Sequence, residues 1–289
     1  MRGLWQSGRR REGLRLMRRI LTILAAYFVL AVGAFISIFP YLWAVLTSLK
    51  PESEVFTSHF LSLPTHIEWA NYTHVFQQIN MGRYLLNTVI VAVASVLGQL
   101  IFGSMAAYGF SRFNFKGKNV IFMLYLSTLM IPNIVTLLPL FIMMKYLGWI
   151  NTYYALIAPA ALGTPVGIFL LRQFFLTIPS EIEEAARMDG AGVIRVFVQI
   201  ILPLSKPVLA TLAIITFVSS WNNFLWPLIV TNTDSMKLVS VGIASFQFQV
   251  GAEWNYMMAA STIALLPLVI LFLLFQRRII ESIQLTGLK

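Results

Sequence analysis

Six long stretches of this chain contain no aspartate, glutamate, lysine or arginine, and this pattern constrains the fold more than any other feature. Each stretch is 23 to 30 residues long, whereas about 20 apolar residues suffice for a helix to cross a bilayer. Because lipid offers no partners to free backbone groups, each stretch must be helical. The sequence therefore predicts an all-α polytopic membrane protein with six transmembrane helices. The stretches are Ile20–Leu49, Tyr84–Ser111, Asn119–Met144, Tyr146–Leu171, Pro207–Thr233 and Trp254–Gln276.

The first stretch follows an arginine-rich segment, as the apolar part of a secretory signal also does. Its 30 uncharged residues are too many for such a signal, and no convincing small-x-small cleavage site follows it. We therefore expect a retained span. The composition agrees, since 58% hydrophobic and 11% charged residues are far from the values of a soluble domain.

The basic residues are distributed unevenly between the two ends of the predicted helices. With the N-terminus placed inside the cell, the cytoplasmic segments hold 17 of the 21 lysines and arginines. The positive-inside rule therefore predicts cytoplasmic N- and C-termini. The net charge of +10 then reflects topology and attraction to anionic lipid, and no basic soluble face indicates nucleic-acid binding. The basic residues left outside are Lys50, Arg83, Lys145 and Lys237.

This topology divides the chain into segments. The N-terminal part comprises a basic cytoplasmic segment at 1–19, the first span at 20–49 and an extracytoplasmic segment at 50–83. Residues 84–289 form a core with the other five spans. Within the core we expect a cytoplasmic loop at 173–206, an extracytoplasmic loop at 232–253 and a cytoplasmic tail at 277–289.

The cytoplasmic loop between the fourth and fifth stretches carries a motif of fixed spacing. It reads Glu184-Ala185-Ala186, three residues, Gly190, nine residues, and then Ile200-x-Leu202-Pro203. Seven positions are fixed within twenty residues, which makes this a specific signal that still needs a matching structural context. A solvated amphipathic loop could hold two alanines by chance, but it would not require the downstream Ile-x-Leu-Pro register.

Local signals predict a helix in the first half of this loop. Ser180 and Glu183 have the spacing of a capping box, which predicts a helix that begins at Glu181. Gly190 or Gly192 could adopt the left-handed conformation that ends such a helix and reverses the chain. The result would be a short helix with an anionic tip and a low, alanine-lined surface that fits a groove.

A second short helix is predicted after the turn, from about Val193 to Ile201, and Leu202-Pro203 should stop it before the fifth span. Apolar residues at helical spacing would share one side of this helix. They are Val193, Val196, Phe197, Ile200 and Ile201.

Several kinds of chemistry find no support in the sequence. The chain has no cysteine, and His59, His66 and His74 lack the close spacing of metal ligands. No Gly-x4-Gly-Lys-Ser/Thr sequence occurs, so the chain has no P-loop for ATP phosphates. We expect no catalytic residue, no metal and no bound cofactor, and any ATP and magnesium that are used should bind a partner.

A solute pathway would have to be built from neutral groups, because the six stretches contain no charged side chain. This pattern disfavours ion-coupled transport, which needs a membrane carboxylate or similar ion site. Amides and indoles suit sugar hydroxyls and sugar C–H faces, although hydrogen bonds between helices explain such residues equally well. The candidates are Asn222 and Asn223, ranked first, followed by Trp221, Asn87 and Gln99.

The motif matches the EAA loop, EAA-x3-G-x9-I-x-L-P, of bacterial binding-protein-dependent ABC importers. The chain resembles the permease subunits of carbohydrate importers, in the branch of the MalG-type inner-membrane components. The resemblance extends over nearly the whole chain through shorter, individually weak sequences. These are Leu49-Lys50-Pro51, Asn87-Thr88, Arg112-Phe113, Gly148-Trp149-Ile150-Asn151-Thr152 and Trp221-Asn222-x-Phe224.

The resemblance implies a type I ABC importer permease fold and a defined set of partners. These are a second, MalF-like permease, two ATPase subunits and an extracytoplasmic solute-binding protein, in the inner membrane of a bacterium. The EAA loop would dock on the ATPase, residues 232–253 would reach toward the binding protein, and the tail after Gln276 would approach the ATPases. The ending Gly287-Leu288-Lys289 matches the usual tail only in part.

The implied function is import of a sugar or oligosaccharide, driven by ATP hydrolysis on the partner. Another solute such as glycerol phosphate is an alternative, since relatives of this branch carry both kinds. A secondary transporter would need a coupling-ion site within the membrane. A membrane enzyme would need clustered nucleophile, base or metal ligands in a span. The sequence offers neither.

Overall fold

The computed structural model describes residues 2–56, 62–248 and 253–287, and within these ranges the chain is helical with no strand. The N-terminal half contains α1 (Arg2–Ser48), α2 (Glu52–Val55), α3 (Ala70–Gln78), α4 (Met81–Gly98), α5 (Ser104–Arg112), α6 (Lys118–Ser127), α7 (Asn133–Tyr146) and α8 (Tyr153–Ala161). The C-terminal half contains α9 (Pro165–Thr177), α10 (Ser180–Met188), α11 (Val193–Val196), α12 (Leu202–Leu204), α13 (Lys206–Trp221), α14 (Leu225–Val230), α15 (Val239–Phe248) and α16 (Trp254–Gly287).

The spans agree with the predicted number when bent helix pairs are counted as one. Continuous helical segments at Met17–Ser48, Met81–Arg112, Tyr153–Thr177 and Trp254–Leu274 are long and apolar enough to cross a membrane. Two further pairs qualify only together, and they bend by 106° and 78°. By length and composition the described chain therefore holds four spans, or up to six if each bent pair is one span. The bent pairs are Lys118–Met130 with Asn133–Tyr146, and Val193–Leu204 with Lys206–Trp221.

The boundary between the third and fourth spans differs from the sequence prediction. The uncharged stretches meet at Lys145, but α7 ends at Tyr146 and the next span begins only at Tyr153. The intervening turn contains two residues with positive φ, Gly148 at 68° and Asn151 at 61°. These angles are incompatible with a continuing right-handed helix, so the uncharged stretch starting at Tyr146 opens with a turn.

The predicted fifth span, Pro207–Thr233, is not one helix. Helix α13 ends at Trp221, and α14 begins at Leu225. Pro227 lies in the first turn of α14 and has no N–H to donate to the carbonyl of Asn223. That carbonyl instead accepts a hydrogen bond of 2.7 Å from Ser240 Oγ. The break therefore has a physical cause, and a partner on α15 satisfies the freed group.

Close packing at small residues holds the second and fourth spans together. A Cβ at Gly98 would overlap Ala161, and the backbone at Gly163 lies near Gly103. The small residues at Gly98, Gly103 and Gly163 therefore let the two spans approach closely. A π-helical turn at Gln99–Gly103 lies between α4 and α5 at this contact.

The first span lies at the periphery. The most apolar 18 residues within Met17–Ser48 include no buried residue, and this long helix packs chiefly along α16. Its outward side chains, among them Phe28 and Phe35, are exposed. In a bilayer this apolar surface would face lipid or another membrane subunit.

Gly98→Ala should destabilise the fold by about 1–3 kcal/mol, because the added methyl group overlaps Ala161 in a well-packed contact. Gly109→Ala on α5 is the matched control, since a Cβ added there would meet no neighbouring atom within 4 Å. This control should be neutral or more stable by about 0.5–1 kcal/mol. Thermal unfolding in detergent measures both changes, and equal midpoints for the two variants would contradict this packing.

Candidate functional site

The predicted EAA motif lies on a helical hairpin, residues 180–204, which we call the motif hairpin. Its first helix is α10, and its second runs from Val193 to Leu204 through a π-helical turn. Glu184 and Ala185 are exposed on α10, whereas Ala186 is half-buried against the apolar core. Glu184 and Ala185 therefore point outward together as predicted, whereas Ala186 faces the core in part.

The start of α10 differs from the prediction. Pro179 occupies the N-cap position, Ser180 is already helical, and no side chain caps the helix. The capping box is absent because Glu183 turns inward, where it is 4% exposed. Its carboxylate forms an ion pair with the Arg112 guanidinium. A buried charge with a cationic partner outweighs a cap that water could replace.

The end of α10 is a Schellman motif, which matches the predicted role of Gly190. Gly190 has φ of 81°, while Gly192 has an ordinary φ of −72°. The N–H of Ala191 donates to Ala186 O at 2.9 Å, and the N–H of Gly190 donates to Arg187 O at 3.0 Å. These two bonds satisfy carbonyl groups that the end of a helix otherwise leaves free.

The second helix of the hairpin buries most of the predicted apolar side. Val196 and Ile201 are fully buried, and Phe197 and Ile200 pack against the same cluster. Val193 is the exception, since 44% of it is exposed. This side anchors the hairpin to the second and fourth spans.

The second helix of the hairpin ends one residue after the predicted stop at Leu202-Pro203. The helix continues to Leu204 and bends by 78° after Ser205. The turn before Pro203 is widened to a π-helix, Phe197–Ile201, which makes room for a ring that would clash with the carbonyl four residues earlier. Leu202 and Pro203 thus lie just before the corner between the hairpin and α13.

The outer surface of the hairpin combines charge with large apolar side chains. Met188 is 89% exposed and Ile194 is 79% exposed, on either side of the Gly190 turn. Exposed apolar residues beside an anionic residue are typical of a docking surface.

Asn87, a predicted pathway residue, lies inside the helix packing and is fully buried. Its Nδ2 donates to Ser235 O at 2.8 Å and to Lys237 O at 2.9 Å. Its Oδ1 accepts a bond of 2.6 Å from the Tyr153 hydroxyl. These contacts are those of the alternative interpretation, a hydrogen-bonded link between elements.

Gln99 is likewise fully buried and hydrogen-bonded. Its Oε1 accepts from Thr164 N at 2.8 Å, and its Nε2 donates to Thr164 Oγ1 at 3.2 Å. Thr164 is the N-cap of α9, and its hydroxyl accepts from Gly167 N. Gln99, on the second span, therefore supplies hydrogen-bond partners to Thr164 at the break between α8 and α9.

The remaining predicted pathway residues lie at the break after α13. Asn222 and Asn223 are exposed, and Asn222 Nδ2 donates to Val218 O at 3.0 Å. Trp221 is buried and stacks on Phe217 with ring centroids 5.5 Å apart. Asn223 also lines a cavity of about 210 Å³, whose lining contains no charged side chain. The cavity lies between the second, fourth and fifth spans. Its walls include Val91, Leu156, Thr164, Ser220 and Trp226.

The outer loop after α14 is fixed to its neighbours over its first part. Asn151 Oδ1 accepts from the backbone N–H groups of Asn232 and Thr233 at 2.9 and 3.0 Å. Lys237 Nζ donates to Asp234 at 2.6 Å, and this hydrogen bond lowers the pKa of the Asp234 carboxyl. The predicted loop 232–253 thus contains a pinned segment followed by the helix α15, and its residues 249–252 lie outside the described part.

Three other predictions touch residues at the limits of the structure. His59 lies outside the described residues, as do Leu288 and Lys289 at the end of the tail. Helix α16 extends to Gly287. Among the described residues, no group of three or more histidine, aspartate and glutamate side chains could hold a metal ion.

Sequence reasoning missed the partners of Glu183. Arg112 entered the prediction as a cytoplasmic positive charge and as part of the Arg112-Phe113 sequence, and Tyr108 did not enter it. The available signal was weak: a basic residue closes an uncharged stretch, and an acidic residue begins the next polar loop. Seventy-one residues separate the two, so no local pattern pairs them.

Comparison with known proteins agrees with this site. The family model for the binding-protein-dependent transport system inner membrane component matches residues 99–284, which include the motif hairpin. The chain is 36% identical over 259 residues to the arabinooligosaccharides transport system permease protein AraQ of Halalkalibacterium halodurans, covering 89% of this chain and 92% of that one. It is 36% identical over 262 residues to the diacetylchitobiose uptake system permease protein NgcG of Streptomyces coelicolor, covering 89% and 86%.

A relative with a different named solute is nearly as similar. The sn-glycerol-3-phosphate transport system permease protein UgpE of Yersinia pestis is 35% identical over 265 residues, covering 89% of this chain and 94% of that one. Among solved structures, a crystal structure of a bacterial ABC transporter that imports the acidic polysaccharide alginate contains a similar chain. The TM-score is 0.80 at 23% identity, over 90% of this chain and 96% of that one. At this identity the likeness concerns the fold.

Gly190→Ala should strain the hairpin by about 1–2 kcal/mol, because φ of 81° brings the added Cβ close to the following carbonyl oxygen. Gly192→Ala is the matched control, since it has an ordinary φ and equally open space. Hydrogen exchange of the Ala191 amide reports the Schellman bond directly. We expect faster exchange in Gly190→Ala alone, and equal rates in both variants would contradict the assignment.

Proposed function

Because the chain belongs to the family of binding-protein-dependent transport system inner membrane components, we propose that it is the transmembrane permease of an ATP-driven importer for sugars or oligosaccharides. The chain itself would be non-catalytic, and ATP and magnesium would bind a partner subunit. The observation that carries the proposal is the motif hairpin, which presents Glu184 and Ala185 on an exposed face of α10 while its opposite side is anchored in the core.

The hairpin is suited to docking on a moving partner. Its exposed side offers a carboxylate and bulky apolar groups, and a carboxylate forms charge-assisted hydrogen bonds of about 1.5–3 kcal/mol. Its ends continue directly into α9 and α13. A partner that binds the hairpin can therefore move the fourth and fifth spans. This movement would open a pathway between the spans to one side of the membrane and then to the other.

We propose that two ATPase subunits bind the hairpins of this chain and of a second, homologous permease. An extracytoplasmic solute-binding protein would deliver the solute at the opposite end, near residues 232–253. A solved structure similar in fold is of the alginate transporter in complex with its periplasmic protein, which supports a partner of this class. The chain would be a multi-pass protein of the bacterial inner membrane, with both termini in the cytoplasm.

A neutral, hydroxyl-rich solute fits the interior. The cavity beside Asn223 has apolar and neutral polar walls and no cation for a phosphate. At the outer end, Arg83 Nε donates to Ser235 O and Lys237 binds Asp234. The names of the arabinooligosaccharide and diacetylchitobiose relatives support a sugar, whereas glycerol phosphate, suggested by the third relative, is the less favoured alternative.

Within the proposed pathway, Asn223 is the first choice for contact with the solute. It lies at the break between α13 and α14 and lines the cavity, and its backbone carbonyl accepts a hydrogen bond from Ser240. Asn222 and Trp221 would border the same break. Asn87 and Gln99 use their side chains in buried hydrogen bonds. They would therefore hold the helices that form the pathway and would not contact the solute.

Glu184→Ala should weaken capture of the ATPase subunits while the permease still inserts in the membrane, because the exposed carboxylate is lost without a change in packing. Glu52→Ala is the matched control, an exposed acidic residue on α2 at the opposite end of the molecule. Copurification of ATPase with each variant gives the measurement, and we expect about a tenfold loss for Glu184→Ala. Undiminished capture together with normal uptake would refute docking through this hairpin.

Asn223→Leu should raise the KM for solute uptake by about fivefold, the equivalent of one lost hydrogen bond of about 1 kcal/mol. Asn223→Gln keeps the amide and should lose less. ATPase capture should stay normal in both, since the break lies far from the motif hairpin. A KM that does not change in Asn223→Leu would remove this residue from the pathway.

A further inference from the structure

We propose that Arg112 and Glu183 are positioning residues that fasten the motif hairpin to the second span. This inference rests on the proposed function and deepens it. The hairpin is joined by the chain only to the fourth and fifth spans. The pair would carry its movement to a helix with which it has no covalent connection.

The Glu183 side chain points inward, unlike that of the next residue in the chain. On α10 its neighbour Glu184 is exposed, but Glu183 is 4% exposed and faces the end of α5. One carboxylate oxygen forms the ion pair with the Arg112 guanidinium. The other accepts a hydrogen bond of 3.2 Å from the Tyr108 hydroxyl. Both groups that hold this carboxylate come from the last two turns of the second span.

Arg112 makes a second contact that includes the fourth span. Its Nη2 donates to the carbonyl of Ile178 at 2.7 Å. Ile178 is the C-cap residue of α9, one residue before the hairpin's N-cap. A single guanidinium therefore contacts α10 through Glu183 and the end of the fourth span through Ile178. Arginine suits this double role because its planar group carries several donors in fixed directions.

The surroundings exclude water from the pair. The side chains of Arg112 and Glu183 are 12% and 5% exposed. The Tyr108 ring lies 4.9 Å from the ring of Phe197 in the hairpin and 5.5 Å from that of Phe113. Separating the two would leave each buried charge without an opposite charge beside it, which is strongly unfavourable. The hairpin and the end of α5 should therefore move as one body.

A second connection strengthens this body. Arg172 Nε on α9 donates to Phe110 O on α5 at 3.1 Å, and its guanidinium lies 4.3 Å from the ring centroid of Phe122. The cytoplasmic ends of the second and fourth spans are thus tied by two arginines. Of these two arginines, Arg112 extends the connection to the hairpin.

The opposite end of the second span is bonded to the loop after α14. There Asn87 and Thr88 bind the outer loop, through Ser235 O, Lys237 O and Val239 N. The continuous span Met81–Arg112 therefore joins the motif hairpin at one end to the outer loop at the other. A partner that moves the hairpin would displace the outer loop through Arg112 and Glu183.

A distance measurement tests the connection in the full chain reconstituted in lipid nanodiscs. The chain has no cysteine, so Met105→Cys on α5 and Met188→Cys on α10 give a unique pair of exposed spin-label sites. We expect a narrow distance distribution in the otherwise unchanged protein. Arg112→Gln and Glu183→Gln should broaden it, and Arg112→Lys should restore part of the narrow component because the charge pair returns.

Glu181→Gln is the matched control, because it removes an exposed carboxylate from the same helix. It should leave the distance distribution unchanged. Where a Gln variant fails to fold, Tyr108→Phe removes only one hydroxyl group from the carboxylate and should still broaden the distribution. A distribution that stays equally narrow when Glu183 or Arg112 is neutralised would overturn the proposed connection.

A transport measurement separates this inference from the proposed function. In the reconstituted complex, Glu183→Gln should still capture the ATPase, but solute transported per ATP hydrolysed should fall about tenfold, within the usual range of coupling between sites. Arg112→Lys should recover part of the loss. If the unchanged chain captures no ATPase, the proposed function fails, whereas an unchanged transport ratio in Glu183→Gln overturns the role of the pair alone.

Discussion

In a bilayer, every backbone N–H and C=O group needs a partner within the protein, and the architecture of this chain depends on how that requirement is met where helices break. Proline and glycine interrupt the spans at several points, and side chains from neighbouring helices serve the exposed groups. Gln99 binds the backbone at the α8–α9 break, and Ser240 binds the carbonyl that Pro227 leaves free. The interruptions are therefore also the places where helices are fastened to each other.

The long uncharged stretches predicted the helical class and the spans, because crossing a membrane imposes a minimum length that any sequence must show. The spacing of the motif and the Gly190 turn were equally legible, since both depend on residues close in sequence. The direction of Glu183 was not. Its inward turn is decided by Arg112, and contacts between residues so far apart leave no periodic trace in one sequence.

The neutral polar residues in the spans illustrate the same limit. The sequence allowed each of them to line a pathway or to join two helices. Only the course of the backbone in three dimensions shows which groups lie beside each side chain. Asn87 and Gln99 have all their contacts within the protein, whereas Asn223 reaches a cavity because α13 ends beside it. The break itself follows from Pro227, which cannot donate a hydrogen bond to the carbonyl four residues earlier. The sequence prediction nevertheless took the unbroken apolar stretch as one span.

The corner at Ser205 makes the second hairpin helix and α13 the two arms of a lever. Val193–Leu204 meets Lys206–Trp221 at 78°, so the shorter helix acts as a crank of about 18 Å, at 1.5 Å for each residue. If the corner stays rigid, a displacement of about 2 Å at its tip corresponds to a rotation of about 6°. Over the roughly 24 Å of α13 that rotation shifts the far end, beside the asparagine break, by about 2.5 Å. A displacement at the tip of the hairpin would thus reach the far end of α13 at about the same size.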